Sequence, residues 1–521
     1  MLWACLLLQS LSLDVFARAL PPTEAAQPFA IATGGRTPRI VSANAAAHAA
    51  GIRPGQLVSA SLALAPELVL RDRNPGTEAD ALAAVATWAT QFTPAVALAA
   101  PDAVLVEIGA SLRLFGGLSK LTTQLSAGAR NLGYDVQLAL APTPTAALLF
   151  ARAGESAATF GFPDERSSVG NDFSHTHAVA RENRDKVVSD PAFIEALARL
   201  PLALTDADPT IVATLAASGV TTIGAACALP RDGLARRVGA DFIAILDRAR
   251  GLVADPRSPF VPPPRYAGKI ELPAPVENIE ALAFVVNRLV HELSGWLVGR
   301  GLGVIELALE LAHERYVGVK TGVPATHVRF ALAAPAREHA HLIAVLRERL
   351  ARVALPAPVE SITLTTLATA PLSGRNLGLL PGDEVVAPVP LIDRLRARLG
   401  EDAVVLVAPH AEYRPERAWR ESGEIKAAGA KNRNVLDAYD AAFPRPVWLL
   451  AEPEPLGHLF EGEPWVLRDG PERIESGWWD GSDVRRDYFI GETPRGETMW
   501  IYRDHRYGTD DGEWFLHGVF A

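Results

Sequence analysis

A multidomain α+β architecture is what this sequence predicts, and three observations carry the expectation. Short apolar strand patterns alternate with amphipathic helical patterns through residues 1–150. Proline-rich text at 259–264 (PFVPPP) separates a run of short helices from a second α+β stretch. Seven of the ten tryptophans fall between Trp419 and Trp514, which marks the C-terminal part as different material. A chain of 521 residues, at roughly 100–200 per domain, has room for several cores. Its 49% hydrophobic and 21% charged residues are an ordinary globular balance.

Taken in order, Leu2 to Leu8 reads as a buried first strand. The apolar start lacks a basic leading region and a cleavage site, and it is too short to span a membrane. Thr77 to Phe92 places Leu82, Val85, Trp88 and Phe92 on one helical face, with Thr77 and Asp80 as a weak capping box. Ala103 to Ile108 is a strand pattern. After Gly116 and Gly117, apolar residues Leu118, Leu121, Leu125, Ala129 and Leu132 recur at helical spacing and Gly133 closes the helix. Val136 to Leu140 then completes a βαβ unit.

Residues 151–195 read as an irregular insertion, in which His175 and His177 are solvated loop histidines rather than metal ligands. Residues 196–258 read as short helices. Within them, 215–223 (LAASGVTTI) matches a helix–hairpin–helix turn, with Gly219 at the tight turn. Backbone N–H groups around Gly219, Thr221 and Thr222 are candidates for holding a DNA phosphate; a plain αα-hairpin fits these residues equally well. Residues 266–370 follow as a compact α+β unit, with helices near 280–298 and 336–353 and strands near 303–311, 327–332 and 360–367. Residues 371–390 read as a tether and 391–521 as a Trp-rich domain, whose Trp478, Trp479, Trp500 and Trp514 fit a small core or, as a group, a partner-binding patch.

The formal net charge of −10 argues against a protein held on nucleic acid by bulk electrostatics and favours protein partners. Two cysteines, Cys5 and Cys227, make neither a disulfide framework nor a zinc site, which fits a reducing, cytoplasmic setting away from membranes. No P-loop, dinucleotide fingerprint, nucleophile elbow or HExxH motif is present, and no cofactor or metal is expected.

Specific stretches carry a resemblance. Arg39 to Asn44 (RIVSAN), Gly51 to Gly55 (GIRPG) and Ala65-Pro66 resemble the fingers of Y-family DNA polymerases. Phe92 to Pro94, Asp102 to Gly117 and Ala139 to Pro142 resemble the palm, the hairpin at 215–223 the helical thumb, and 266–370 the little finger. Leu112 to Gly117 (LRLFGG), Tyr413 to Ala418 (YRPERA), and Gly470 to Trp479 (GPERIESGWW) with Trp514 to Ala521 (WFLHGVFA) resemble the ImuB family, Y-family-like accessory subunits of the bacterial mutasome. The resemblance implies a right hand of palm, fingers, thumb and little finger followed by the Trp-rich domain.

Active Y-family members carry an Asp-x-Asp on the first strand and an adjacent Asp-Glu on a later one, because nucleotidyl transfer needs two divalent ions held by carboxylates. Here the first strand reads Leu6-Leu-Leu-Gln9, with no carboxylate before Asp14. Asp102 matches the later Asp, but Ala103 stands where the Glu belongs. Ala45 and His48 occupy the positions of the Tyr and Arg that contact the triphosphate, and Pro144 and Leu148 those of family lysines. The resemblance therefore implies a degenerate, non-catalytic site. The rival reading is an active translesion polymerase using Asp14 with Asp102; another is a DNA-repair binding module.

In the tether, Asn376-Leu377-Gly378-Leu379-Leu380 resembles the pentapeptide by which polymerases dock on the sliding clamp, with Asn replacing Gln. The ImuB resemblance further implies an error-prone C-family DNA polymerase and the RecA-like companion ImuA as partners, with weak contact to primer–template DNA.

Overall fold

The computed structural model describes residues 1–20, 27–154, 188–372, 389–400, 402–422, 444–457, 465–506 and 513–520. His175, His177 and the Asn376–Leu380 motif lie outside the described residues. The chain divides into two compact units, Met1–Glu384 and Val385–Ala521.

The palm is a four-stranded sheet of order β5-β6-β1-β7, made of β1 (Trp3–Leu7), β5 (Val96–Ala99), β6 (Ala103–Glu107) and β7 (Gln137–Ala141). Cys5 pairs with Leu105 on one side and Ala139 on the other, both antiparallel. Helix α5 (Leu118–Leu132) joins β6 to β7 as expected, but the two strands are not neighbours, because β1 lies between them. The sequence of β1 explains this: apolar on both faces, it belongs where helices cover both sides of a sheet.

One face packs Leu6, Val104, Val106 and Leu140 under α1 (Leu11–Ala17), α4 (Pro75–Ala89) and α5. The other packs Cys5, Leu7, Leu105 and Ala139 under α6 (Pro144–Arg152) and the thumb helices. The cap of α4 is Asn74, whose Oδ1 accepts from Gly76 and Thr77 N–H, so the Thr77–Asp80 capping box is corrected by one turn.

The fingers are a small sheet of order β3-β2-β4, formed by β2 (Phe29–Ala32), β3 (Ile40–Ala43) and β4 (Val69–Asp72), with α2 (Ala45–Ala49) and α3 (Val58–Leu64). The thumb comprises α7 (Pro191–Arg199), α8 (Pro209–Ala217), α9 (Ile223–Cys227), α10 (Arg231–Val238) and α11 (Ala240–Arg250). Asp190 and Asp208 cap α7 and α8 ahead of a first-turn proline, which explains where those helices begin.

The little finger is a sheet of order β10-β9-β11-β8, comprising β8 (Ala267–Val276), β9 (Leu302–His313), β10 (Ala325–Ala336) and β11 (Val359–Pro371). It carries α12 (Ile279–Arg300), α13 (Arg315–Thr321) and α14 (His339–Leu350). Strand β8 and helix α13 were not expected. Two prolines in β8 obscure its pattern, and its place at the sheet edge is where prolines are tolerated. Among the described residues α12 is the one helix long and apolar enough to cross a membrane, yet most of it is buried inside the fold.

The C-terminal unit contains α15 (Val389–Leu399), the hairpin β12 (Leu406–Pro409) with β13 (Trp419–Ser422), and an antiparallel sheet of order β14-β18-β17-β16-β15. These last strands are β14 (Trp448–Pro455), β15 (Val466–Ser476), β16 (Val484–Glu492), β17 (Thr498–Asp504) and β18 (Trp514–Val519). Its core is Ile474, Val484, Tyr488, Trp500 and Tyr502.

Candidate functional site

Strand β1 ends in Leu7, which pairs with Ala103 at the start of β6, and Leu8 N–H donates to the Asp102 carbonyl at 2.8 Å. That pairing brings Leu7, Gln9 and Asp102 to one edge of the palm. There they line a cleft of about 480 Å³ with Arg152, Ala203, Leu204, Thr205 and Asp206. Only two of these residues are carboxylates. Asp206 accepts from Arg152 Nη1 at 2.6 Å, and the same nitrogen donates to the Leu204 carbonyl at 3.0 Å. Asp102 Oδ1 is buried without a hydrogen-bond partner. Burial raises its carboxyl above the usual range, Arg152 pulls it back, and Asp206 raises it again. The cation facing Asp102 is thus a guanidinium belonging to the chain. Among the described residues no group of three or more His, Cys, Asp or Glu side chains converges as a metal-binding cluster. Sequence reasoning missed Arg152 and Asp206, because they reach the cleft from α6 and the thumb rather than from a motif.

Asp14 is not brought to this cleft. Its charged neighbours are Asp135, Arg288 and Arg18, and its Oδ2 is buried without a hydrogen-bond partner. The Asp14–Asp102 pair required by the active-polymerase reading is therefore not assembled. Glu107 has a structural task instead: its Oε1 accepts from Leu2 N–H at 3.0 Å and Gly109 N–H at 3.1 Å, fixing the end of the sheet. A larger depression of about 610 Å³ lies along α5 and the start of β7, lined by Ser10, Thr123, Arg130 and Asp135 among others, and does not include Asp102.

In the fingers, Asn44 organises the turn. Its Oδ1 accepts from Ala47 N–H at 2.9 Å and Phe29 N–H at 3.1 Å, and its amide donates to the Gln27 carbonyl at 2.7 Å. Ala45 is exposed in the first turn of α2. His48 Nδ1 lies 3.0 Å from the Ile52 carbonyl, an arrangement in which the ring N–H donates locally. Pro144 begins α6 and Leu148 is buried within it.

At the thumb hairpin, Gly219 has φ +80°, the left-handed conformation that favours glycine. Thr222 caps α9 through its Oγ1, which accepts from Ala225 N–H at 3.2 Å. The Thr221 carbonyl accepts from Leu202 N–H, and Ile223 N–H donates to the Leu200 carbonyl, both at 2.9 Å. Much of the hairpin's backbone is committed to the neighbouring loop. Gly224 lies so close to Ala198 of α7 that a Cβ there would stand 2.8 Å from the Ala198 Cβ.

In the C-terminal unit the separated motifs meet. Arg414 donates from Nη1 to Asp480 Oδ1 at 3.1 Å and the Ser482 carbonyl at 3.1 Å, and from Nη2 to Glu412 and Asp480 at 2.7 Å each. Those contacts hold both carboxyls down to about 2. Glu416 accepts from Arg486 at 3.0 Å; Arg486 donates to the Tyr488 hydroxyl at 3.1 Å, which is bonded to His517 Nδ1 at 2.8 Å. Burial lowers His517 to about 4. The tryptophans divide. Trp500 is 2% exposed and stacks on Tyr488 with ring centroids 4.1 Å apart, so it is a core residue and is corrected as a partner contact. Trp478 and Trp479 are 74% and 59% exposed, which corrects their reading as core. They meet edge to face at 4.5 Å, with the Arg414 guanidinium over Trp479 at 5.8 Å and the exposed Tyr413 next to it in sequence. Trp514 is half-buried against Phe489.

Residues 14–152 match the model of the impB/mucB/samB family. The chain is 28% identical over 508 residues to the curated Protein ImuB of Caulobacter vibrioides strain NA1000 / CB15N, covering 90% of this chain and all of the relative. The same figures hold for Protein ImuB of Caulobacter vibrioides strain ATCC 19089 / CIP 103742 / CB 15. Among solved structures, a Y-family DNA polymerase chimera of Dbh and Dpo4 is similar at 12% identity and a TM-score of 0.37, over 70% of this chain and 98% of the other. DinB from Sulfolobus solfataricus is similar at 11% identity and a TM-score of 0.36, over 72% of this chain and all of the other. With relatives matched along their whole length and the impB/mucB/samB model matched over residues 14–152, the chain is similar to the ImuB proteins.

Proposed function

We propose that this protein is a non-catalytic scaffold of damage-induced translesion DNA synthesis. The observation that carries the reading is the donor set of the palm cleft. Leu7 and Gln9 line the cleft beside Asp102 without a carboxylate, Ala103 follows Asp102, and Asp206 is engaged by Arg152. Hard divalent ions need several anionic oxygens, and two-ion phosphoryl transfer needs them on both ions. A guanidinium beside a lone Asp102 supplies charge balance without that chemistry. In a primer-extension assay with Mg²⁺ or Mn²⁺ the purified protein adds no nucleotide; robust incorporation rejects the proposal.

On this reading the protein works through its partners. Asn376 to Leu380 docks on the sliding clamp by inserting Leu377, Leu379 and Leu380 into a preformed apolar pocket. Replacing these three leucines by Ala abolishes clamp capture in a pull-down, and undiminished capture removes the tether from the account. Exposed aromatic side chains are the usual anchors of protein interfaces, so Trp478 and Trp479, with the exposed Tyr413 that precedes Arg414, are the proposed contact for the C-family polymerase or the ImuA-like companion. Trp514 is proposed at the margin of that contact. Gly219, Thr221 and Thr222 remain the proposed point of weak contact with a primer–template phosphate.

A further inference from the structure

We infer that the palm and the little finger are locked into one rigid body by a joint built around Trp88, so that the chain offers a preassembled platform and does not open and close around nucleic acid. Trp88 of α4 is buried between glycines of two other helices. A Cβ on Gly128 of α5 would stand 2.0 Å from its ring, and a Cβ on Gly295 of α12 would stand 2.7 Å from it. One turn further along α12, a Cβ on Gly299 would stand 2.4 Å from Thr90 Oγ1. Backbones approach this closely only where side chains are absent, and such seating defines one position of α12 on α4.

Polar contacts secure the same joint. Arg18, at the C-terminal cap of α1, is buried, lies 5.0 Å from the Tyr134 ring centroid, and donates from Nη2 to the Lys269 carbonyl of β8 at 3.3 Å. Gly133, at the end of α5, is packed against Arg18 and Arg288. The proline-rich segment, expected to be a linker, is pinned at both ends. Phe260 N–H donates to the Val96 carbonyl of β5 at 2.7 Å, and Trp296 Nε1 of α12 donates to the Pro263 carbonyl at 3.0 Å. A hinge needs slack and surfaces that can be wetted. Here Trp88, seated against Gly295 of α12, and Tyr134, beneath Arg18, are buried at the joint.

The inference is independent of whether the cleft is catalytic. Its test is a spin-label distance measurement on the full chain, with Ser119→Cys on the palm, Glu360→Cys on the little finger and Cys227→Ser to remove a competing thiol. One narrow distance distribution, unmoved by saturating primer–template DNA, is expected. Two populations, or a shift on adding DNA, overturns the lock. Gly295→Leu is expected to broaden the distribution while circular dichroism stays native. A folded Gly295→Leu protein with an unchanged narrow peak overturns the role of the Trp88 seat, and the unsubstituted protein's own distribution decides the lock even where that variant fails to fold.

Discussion

Asp14 and Glu292 are carboxyls that burial pushes up to about 7, each only partly relieved by Arg18. Asp14 also faces Asp135 and Arg288, and Glu292 faces the buried Tyr134 and Tyr266 hydroxyls. The folded state holds these protons more tightly than the unfolded chain, whose carboxyls ionise near pH 4. The stability they contribute is therefore complete below about pH 4 and lost as pH rises to about 7. Glu292→Gln removes that loss. It is expected to stabilise the protein at pH 8, on the order of 2–4 kcal/mol as an upper bound, and to do little at pH 4.5. Urea midpoints at the two pH values check this, and equal shifts at both refute it. Single residues were unevenly legible in the sequence. The absence of acids from Leu6 to Gln9 could be read directly; Arg152 opposite Asp102 could not, because its neighbours are set by packing across 50 and more positions of chain.

At the scale of elements, periodicity read well where one face is clean. Helix α5 buries Leu118, Leu121, Leu125, Ala129 and Leu132 as its spacing predicts, and Gly133 ends it at φ +90°. Strand adjacency was not legible: β1 between β6 and β7 is a tertiary choice that local alternation cannot express. Nor did spacing reveal that Gly128, on this same helix, is there for Trp88. With a Cβ landing 2.0 Å from the ring, Gly128→Ala must move the indole or separate α5 from α4. Alanine would stabilise an isolated helix by about 1 kcal/mol over glycine. Overpacking of a filled core costs typically about 1–3 kcal/mol and is expected to win, because the indole is held on both sides. A lower urea midpoint for Gly128→Ala is the expected result; a higher one means the joint has slack. In the C-terminal sheet, Trp500→Ala is expected to destabilise that unit by about 3–5 kcal/mol, whereas Trp478→Ala leaves its melting unchanged.

For the whole molecule, charge is distributed in a way that the total of −10 conceals. Residues 385–521 hold 25 acidic and 17 basic side chains, whereas residues 1–384 hold 35 and 33. Nearly all of the excess negative charge therefore belongs to the C-terminal unit, which also carries the exposed Trp478 and Trp479. An acidic unit repels a phosphate backbone and favours a basic partner surface. The first unit, close to neutral, is left to make whatever contact with DNA the chain makes. Removing residues 385–521, which form a compact unit of their own, is thus expected to raise affinity for primer–template DNA rather than lower it. The gain should be several-fold at low salt and should shrink as ionic strength approaches about 0.15 M, where the screening length falls to about 8 Å. Fluorescence anisotropy of labelled primer–template across a salt series measures both trends. Loss of affinity on truncation would mean that the C-terminal unit itself grips DNA, with Trp478 and Trp479 stacking on bases instead of anchoring a protein.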